Sequence, residues 1–154
     1  ALDPGHGGSD PGASANGLVE KDLTLAVGLA LKAELETYQG VRVHMTREDD
    51  SRPSENISQD LSARVASSVA AGASALVSLH FNSGTAGSSG AEVWYPNASS
   101  YNYSTHTQGA ALATAIQNQL TSLGLTDRGT LIQLYLRGRR RAMARMAQAP
   151  MMKG

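Results

Sequence analysis

Residues 22–46 read DLTLAVGLALKAELETYQGVRVHMT, and a change of period inside this stretch decides the fold class. Leu23, Val27, Leu31, Leu35 and Tyr38 recur at helical spacing, which predicts one apolar stripe on a helix starting near Asp22. Gly40 supplies the stop. Beyond it, Val41, Val43 and Met45 alternate with Arg42, His44 and Thr46, a period of two that predicts a strand with one wetter face.

Upstream, the first three residues read as the end of a strand whose beginning is missing. A glycine-rich turn follows, Pro4-Gly5-His6-Gly7-Gly8, and then a loose polar stretch to Gly17. Downstream, residues 47–57 are charged and polar, as in a surface loop. Leu61, Val65 and Val69, followed by Gly72, predict a second helix over about 58–71. Residues 75–80 predict a buried strand, 83–90 a Gly/Ser loop, 91–95 another strand and 96–109 an exposed polar loop. Leu112, Ile116, Leu120 and Leu123 predict a third helix stopped by Gly124, and residues 131–136 one more strand. Strands alternating with helices predict a single α/β domain over residues 1–154, its sheet mostly parallel and twisted, flanked by helices and joined by right-handed crossovers.

Composition narrows the function classes. The chain has 154 residues, 41% apolar and 17% charged, enough for a core and too apolar for a disordered segment. The absence of cysteine excludes a disulfide framework, a thiol nucleophile and thiolate metal ligation. No apolar run approaches the roughly 20 residues of a membrane span. Residues 1–127 carry 6 Lys/Arg against 13 Asp/Glu, whereas residues 128–154 carry 7 Lys/Arg and no carboxylate. The overall balance, 13 Lys/Arg against 13 Asp/Glu, gives no reason to expect nucleic acid as a partner. The basic tail has no aromatic residue among its arginines, and it reads as helical in character.

In parallel α/β sheets the site lies outside the carboxyl ends of the strands. His6 follows the first strand, His80 ends the third, and Glu20 precedes the first helix on that same edge. Two imidazoles and one carboxylate match a catalytic zinc site, which uses three protein donors and leaves a position for water. Each residue has a plainer reading as well. His80 fits a buried, hydrogen-bonded histidine, His6 a turn residue, and Glu20 an acid favoured by the helix dipole.

Several short motifs then point to one family. Leu2-Asp3-Pro4-Gly5-His6-Gly7-Gly8, Glu20 opening a helix, and Ser78-Leu79-His80-Phe81-Asn82 resemble the zinc-dependent N-acetylmuramoyl-L-alanine amidases of the Amidase_3 type. Thr46-Arg47-Glu48-Asp49, Leu61 with Arg64, Gly90-Ala91-Glu92-Val93 and Asp127-Arg128-Gly129 are similar to further elements of that family, so the resemblance spans about residues 1–136. It implies His6, Glu20 and His80 as ligands of a zinc ion. It implies hydrolysis of the amide between N-acetylmuramic acid and the L-alanine of the peptidoglycan stem, and a place outside the cell or in its envelope. A monomer is expected.

Asp3 and Asn82 flank the histidines and are read either as orienting them or as capping strand ends. Arg64 is expected on a solvated helix face and Arg47 in a structural ion pair. His44 and His106 are not expected to be ligands. The family's catalytic glutamate lies in a late Val-Leu-Val-Glu strand that is not found here. Either it lies past Gly154, or the tail has been replaced, or another acid acts, with Glu92 as the weak candidate. The alternative function is a muropeptide-binding domain that keeps the metal site without cleaving.

Overall fold

The computed structural model describes residues 1–84, 87–97, 103–133 and 144–147. In chain order the elements are β1 (Leu2–Pro4), β2 (Ser14–Ala15), β3 (Leu18–Val19), α1 (Glu20–Leu35), α2 (Ile57–Ala70), β4 (Val77–Leu79), β5 (Phe81–Asn82), β6 (Ala91–Pro96), α3 (Tyr103–Ser122), β7 (Asp127–Gln133) and β8 (Ala144–Ala147). The protein is α/β, as its periodicity predicts. It divides into two compact units, Ala1–Leu79 and His80–Gly154.

In the first unit, β1 and β4 run parallel with Leu2 opposite Val77, Asp3 opposite Ser78 and Pro4 opposite Leu79. The strand expected over 41–46 shrinks to a single bridge, Leu2 to Met45, made by Leu2 N–H to His44 O and Thr46 N–H to Leu2 O. Past Thr46 the ladder cannot continue, because β1 ends at Pro4, which has no N–H to donate to it.

The helices form where expected but do not bury the rows expected. The innermost row of α1 is Glu20, Thr24 and Gly28, and that of α2 is Asp60, Arg64 and Ser68. Most apolar residues of the predicted stripes stand half-buried beside these rows, but Tyr38, past the end of α1, is 58% exposed and Val69 is 72% exposed. Close approach explains the choice in α1. A Cβ on Gly28 would stand 2.8 Å from Pro4 Cγ and 3.1 Å from Met45 Cε, so only glycine lets this helix reach β1. Asn56 caps α2, its side chain accepting from Ser58 N–H and Gln59 N–H.

The polar stretch before Gly17 is not loose. β2 and β3 form an antiparallel hairpin whose turn residues, Asn16 and Gly17, have φ of 51° and 78°. Both angles are left-handed, the requirement that makes Asn-Gly a favoured two-residue turn.

In the second unit the strand order is β5-β8-β6-β7. β5 with β8 and β6 with β7 pair parallel, while β6 with β8 pairs antiparallel, so the sheet is mixed at that seam. Residues 144–147, expected to be helical, form β8. Their Ala/Met/Arg composition favours a helix, but ladder partners on both sides override that weak preference. The other residues of the tail lie outside those described. α3 starts at Tyr103, inside the segment expected as loop. Its first turns are polar but still meet β6 through His106, and the fully buried positions, Ala113 and Gln117, come further on. β7 begins at Asp127 rather than near 131, and residues 134–136 lie outside those described.

Candidate metal centre

The register that sets Pro4 opposite Leu79 ends β1 and β4 side by side. His6 stands two residues past the first strand, and His80 is bonded directly to the last residue of the second. Glu20 is the first residue of α1. His6, Glu20 and His80 each offer one donor atom, and these atoms all lie within 4.8 Å of one another. Among the described residues no other group of this kind occurs. His6 Nε2 and Glu20 Oε1 are 3.2 Å apart. Two donors about 2.0–2.1 Å from one tetrahedral zinc would stand roughly 3.3 Å apart, so the pair is spaced to share an ion.

The local backbone explains the convergence. His6 has φ of 64°, a left-handed conformation that costs a non-glycine residue about 1–2 kcal/mol. It turns the imidazole back toward α1. Gly7 and Asp10 exchange backbone hydrogen bonds at 3.0 Å, which brings the Asp10 carboxylate to His6 Nδ1 at 2.9 Å. With Nδ1 engaged by Asp10, Nε2 is the ring nitrogen that faces Glu20. Burial by itself would lower the His6 pKa, but hydrogen bonds to the Glu20 and Asp10 carboxylates, and their charges, outweigh it and raise the value.

The Asn16-Gly17 hairpin fixes Glu20. Ala13 N–H donates to Glu20 Oε2 at 2.8 Å, and Glu20 N–H donates to Ala13 O at 2.8 Å. Gly12, with φ of 65°, lies against both donors. A Cβ there would stand 2.7 Å from Glu20 Oε2 and 2.8 Å from His6 Nε2. Gly12→Ala is therefore expected to weaken any zinc binding by these side chains about ten- to a hundredfold, as when a group that orients metal ligands is lost. Competition against a chelating dye measures this. Unchanged affinity would show that the loop yields without disturbing the donors.

The sequence singled out neither Asp10 nor Gly12. An acid four residues after a candidate ligand histidine and the Asn-Gly pair were the available signals. Neither carries weight until the loop is seen to close.

The other candidates fall elsewhere. Asp3 does not orient a histidine. It is buried, with Oδ1 accepting from Thr46 Oγ1 at 2.6 Å and Arg64 Nη1 at 3.0 Å, and Oδ2 accepting from Ser78 Oγ at 2.7 Å. Arg64 is 2% exposed, not on a solvated face. It donates to Asp60 Oδ1 at 3.0 Å, Pro4 O at 2.9 Å and His6 O at 2.7 Å. Arg47 is buried as well, and its hydrogen bonds run to uncharged oxygens instead of a carboxylate. Nε donates to Pro4 O at 2.9 Å, Nη1 to Asp49 O at 2.8 Å, and Nη2 to Gly5 O at 2.9 Å, Lys21 O at 2.7 Å and Thr24 Oγ1 at 3.0 Å. Burial, and then the neighbouring Arg64 charge, lower its pKa.

Glu92 is buried, with Oε1 accepting from Asn82 Nδ2 at 2.9 Å and Trp94 Nε1 at 3.1 Å, and Oε2 from Arg128 Nε at 3.3 Å. His44 Nε2 lies 2.6 Å from Ser67 Oγ. His106, in α3 rather than a loop, lies 2.7 Å from Pro96 O through Nδ1.

Parallel strands whose carboxyl ends present two imidazoles and a carboxylate within reach of one another place the chain among α/β proteins with a candidate divalent-metal centre. Within that class the chain belongs to the family Amidase_3: N-acetylmuramoyl-L-alanine amidase, which it matches over residues 1–147. The match runs past the extent read from the motifs and takes in β8. The chain is 37% identical over 128 residues to the endolysin of Bacillus phage SPP1, covering 83% of this chain and 45% of the endolysin. It is 44% identical over 98 residues to the sporulation-specific N-acetylmuramoyl-L-alanine amidase of Bacillus subtilis, covering 62% of this chain and 35% of that protein. The solved structure of the N-acetylmuramoyl-L-alanine amidase AmiC2 of Nostoc punctiforme superposes with a TM-score of 0.72 at 32% identity, covering 95% of this chain and 74% of that one. The chain thus spans less than half the length of these two curated relatives.

Proposed function

We propose that the protein is a zinc-dependent peptidoglycan hydrolase that cleaves the amide between N-acetylmuramic acid and the L-alanine of the stem peptide, and that it acts in the cell envelope or outside the cell. The convergence of His6, Glu20 and His80 in a chain of this family carries the reading. Among the described residues no helix is long and apolar enough to cross a membrane.

In this reading His6, Glu20 and His80 hold the zinc. When bound, the ion supplies Lewis acidity, polarising the amide carbonyl and lowering the pKa of a water to about 7. The residues of the chain supply the rest of the site. Asp10 keeps the His6 ring turned so that Nε2 points inward. Ala13 N–H holds one Glu20 oxygen and leaves the other facing His6. Preset donors lose little freedom when the metal arrives.

One observation favours a second reading, a muropeptide-binding domain without turnover. β8 lies between β5 and β6 and reads Ala144-Arg145-Met146-Ala147, with no acid to serve as general base. Dye release from labelled sacculi decides between the two. Release that a chelator stops and zinc restores, with new L-alanine amino groups, is the expected result. Retention on sacculi with no release would establish the binding domain, and release of D-alanine would place the cut elsewhere in the stem peptide.

A further inference from the structure

β1 stops at Pro4, yet the next residues hold a fixed and partly strained path up to His6. In a continuing strand the carbonyls of Pro4, Gly5 and His6 would need a neighbouring strand's N–H groups. Here they are taken by side chains. Pro4 O accepts from Arg47 Nε and Arg64 Nη1, both at 2.9 Å. Gly5 O accepts from Arg47 Nη2 at 2.9 Å and Thr24 Oγ1 at 2.8 Å. His6 O accepts from Arg64 Nη2 at 2.7 Å. Two guanidinium groups therefore grip three consecutive carbonyls, each spanning two of them.

The placement of these arginines is otherwise hard to account for. Both are buried, and they lie close enough that Arg64 disfavours the charge on Arg47. Arg47 hydrogen-bonds only neutral oxygens, and the charges of Asp50, Asp3 and Asp22 that favour its protonated form act without direct contact. A planar fork that reaches two carbonyls at once is something an ammonium group cannot imitate. The innermost rows of the two helices serve the same end: Thr24 of α1 and Arg64 of α2 both point at this backbone.

We infer that Arg64, with Arg47, is a positioning residue that holds the Pro4–His6 backbone in the left-handed turn presenting the His6 imidazole to the metal. The inference rests on the zinc reading of the site and extends it to residues that touch neither metal nor substrate. Arg64→Lys keeps a positive charge beside Asp3 and Asp60 but cannot bridge Pro4 O and His6 O. Zinc affinity, measured by chelator competition, is expected to fall about ten- to a hundredfold. Asn56→Ala serves as the comparison. It removes the cap of α2 without touching the clamp, so it should lower the melting temperature of the metal-free protein and leave zinc affinity within about twofold. If Arg64→Lys does not fold, Arg47→Lys, which breaks the bridge between Pro4 O and Gly5 O, carries the same expectation. Full zinc affinity in a folded clamp variant overturns the inference alone, as does a loss of affinity in Asn56→Ala matching that of the clamp variant. No zinc uptake by the unaltered protein overturns the site reading itself.

Discussion

His80→Ala is expected to lower zinc affinity roughly a hundred- to a thousandfold and to abolish chelator-sensitive release from sacculi. Zinc sites in small peptides bind with about 10–16 kcal/mol, so one donor of four accounts for roughly 2.5–4 kcal/mol, and each 1.4 kcal/mol is tenfold. The two donors that remain, His6 Nε2 and Glu20 Oε1 at 3.2 Å, can still bracket an ion but cannot enclose it. Equilibrium dialysis against zinc and the sacculus assay test this. Turnover that survives in His80→Ala and still responds to chelator would remove His80 from the ligand set.

Asp3→Ala should produce the second large effect, on stability. Its carboxylate is buried where Arg64, Thr46 and Ser78 all donate to it. Removing it leaves the Arg64 charge facing Asp60 alone, strands the Thr46 hydroxyl and leaves Ser78 Oγ with only the long contact to Asp3 O at 3.4 Å. Breaking one side of a buried pair costs about 3–5 kcal/mol, which in a chain of this size lowers the melting temperature by roughly 6–20 °C.

The effect should depend on pH in a definite sense. Burial pushes the Asp3 carboxyl upward, but the Arg64 charge and the hydrogen bonds from Thr46, Ser78 and Arg64 outweigh it and hold the pKa below the usual value. A carboxyl depressed on folding stabilises the protein above its unfolded pKa of about 3.9, and that contribution is lost as pH falls through the folded value. The gap in urea midpoint between the unaltered protein and Asp3→Ala should therefore be full at neutral pH and shrink below about pH 4. A gap independent of pH would mean that packing, not charge, makes Asp3 important.

Much of the architecture was legible because it depends on period and order. Helical spacing placed the start of α1 and both ends of α2 to within about two residues, while α1 stops at Leu35, short of the Tyr38 its stripe reached. The rule that α/β sites lie past strand carboxyl ends put His6 and His80 together before any coordinates. The misreadings share a cause. The rows Glu20-Thr24-Gly28 and Asp60-Arg64-Ser68 have no apolar signature, so periodicity chose the neighbouring leucines and valines as the inner face. A buried arginine reads like a solvated one until its acceptors are known. Residues 144–147 look helical until neighbours offer them a ladder.

What the sequence determined by itself is which residue types stand just past the strands: two histidines and an acid on segments whose order and period bring their backbone ends to one edge. Only the tertiary structure decided how those side chains are held. The Asn16-Gly17 hairpin, Asp10 behind His6, the missing Cβ of Gly12 and the two arginines on the Pro4–His6 carbonyls act across separations that no local pattern encodes. Periodicity records which face of an element avoids water. Hydrogen bonds between distant polar groups leave no such record, because each donor alone looks like a residue that would be content in solvent.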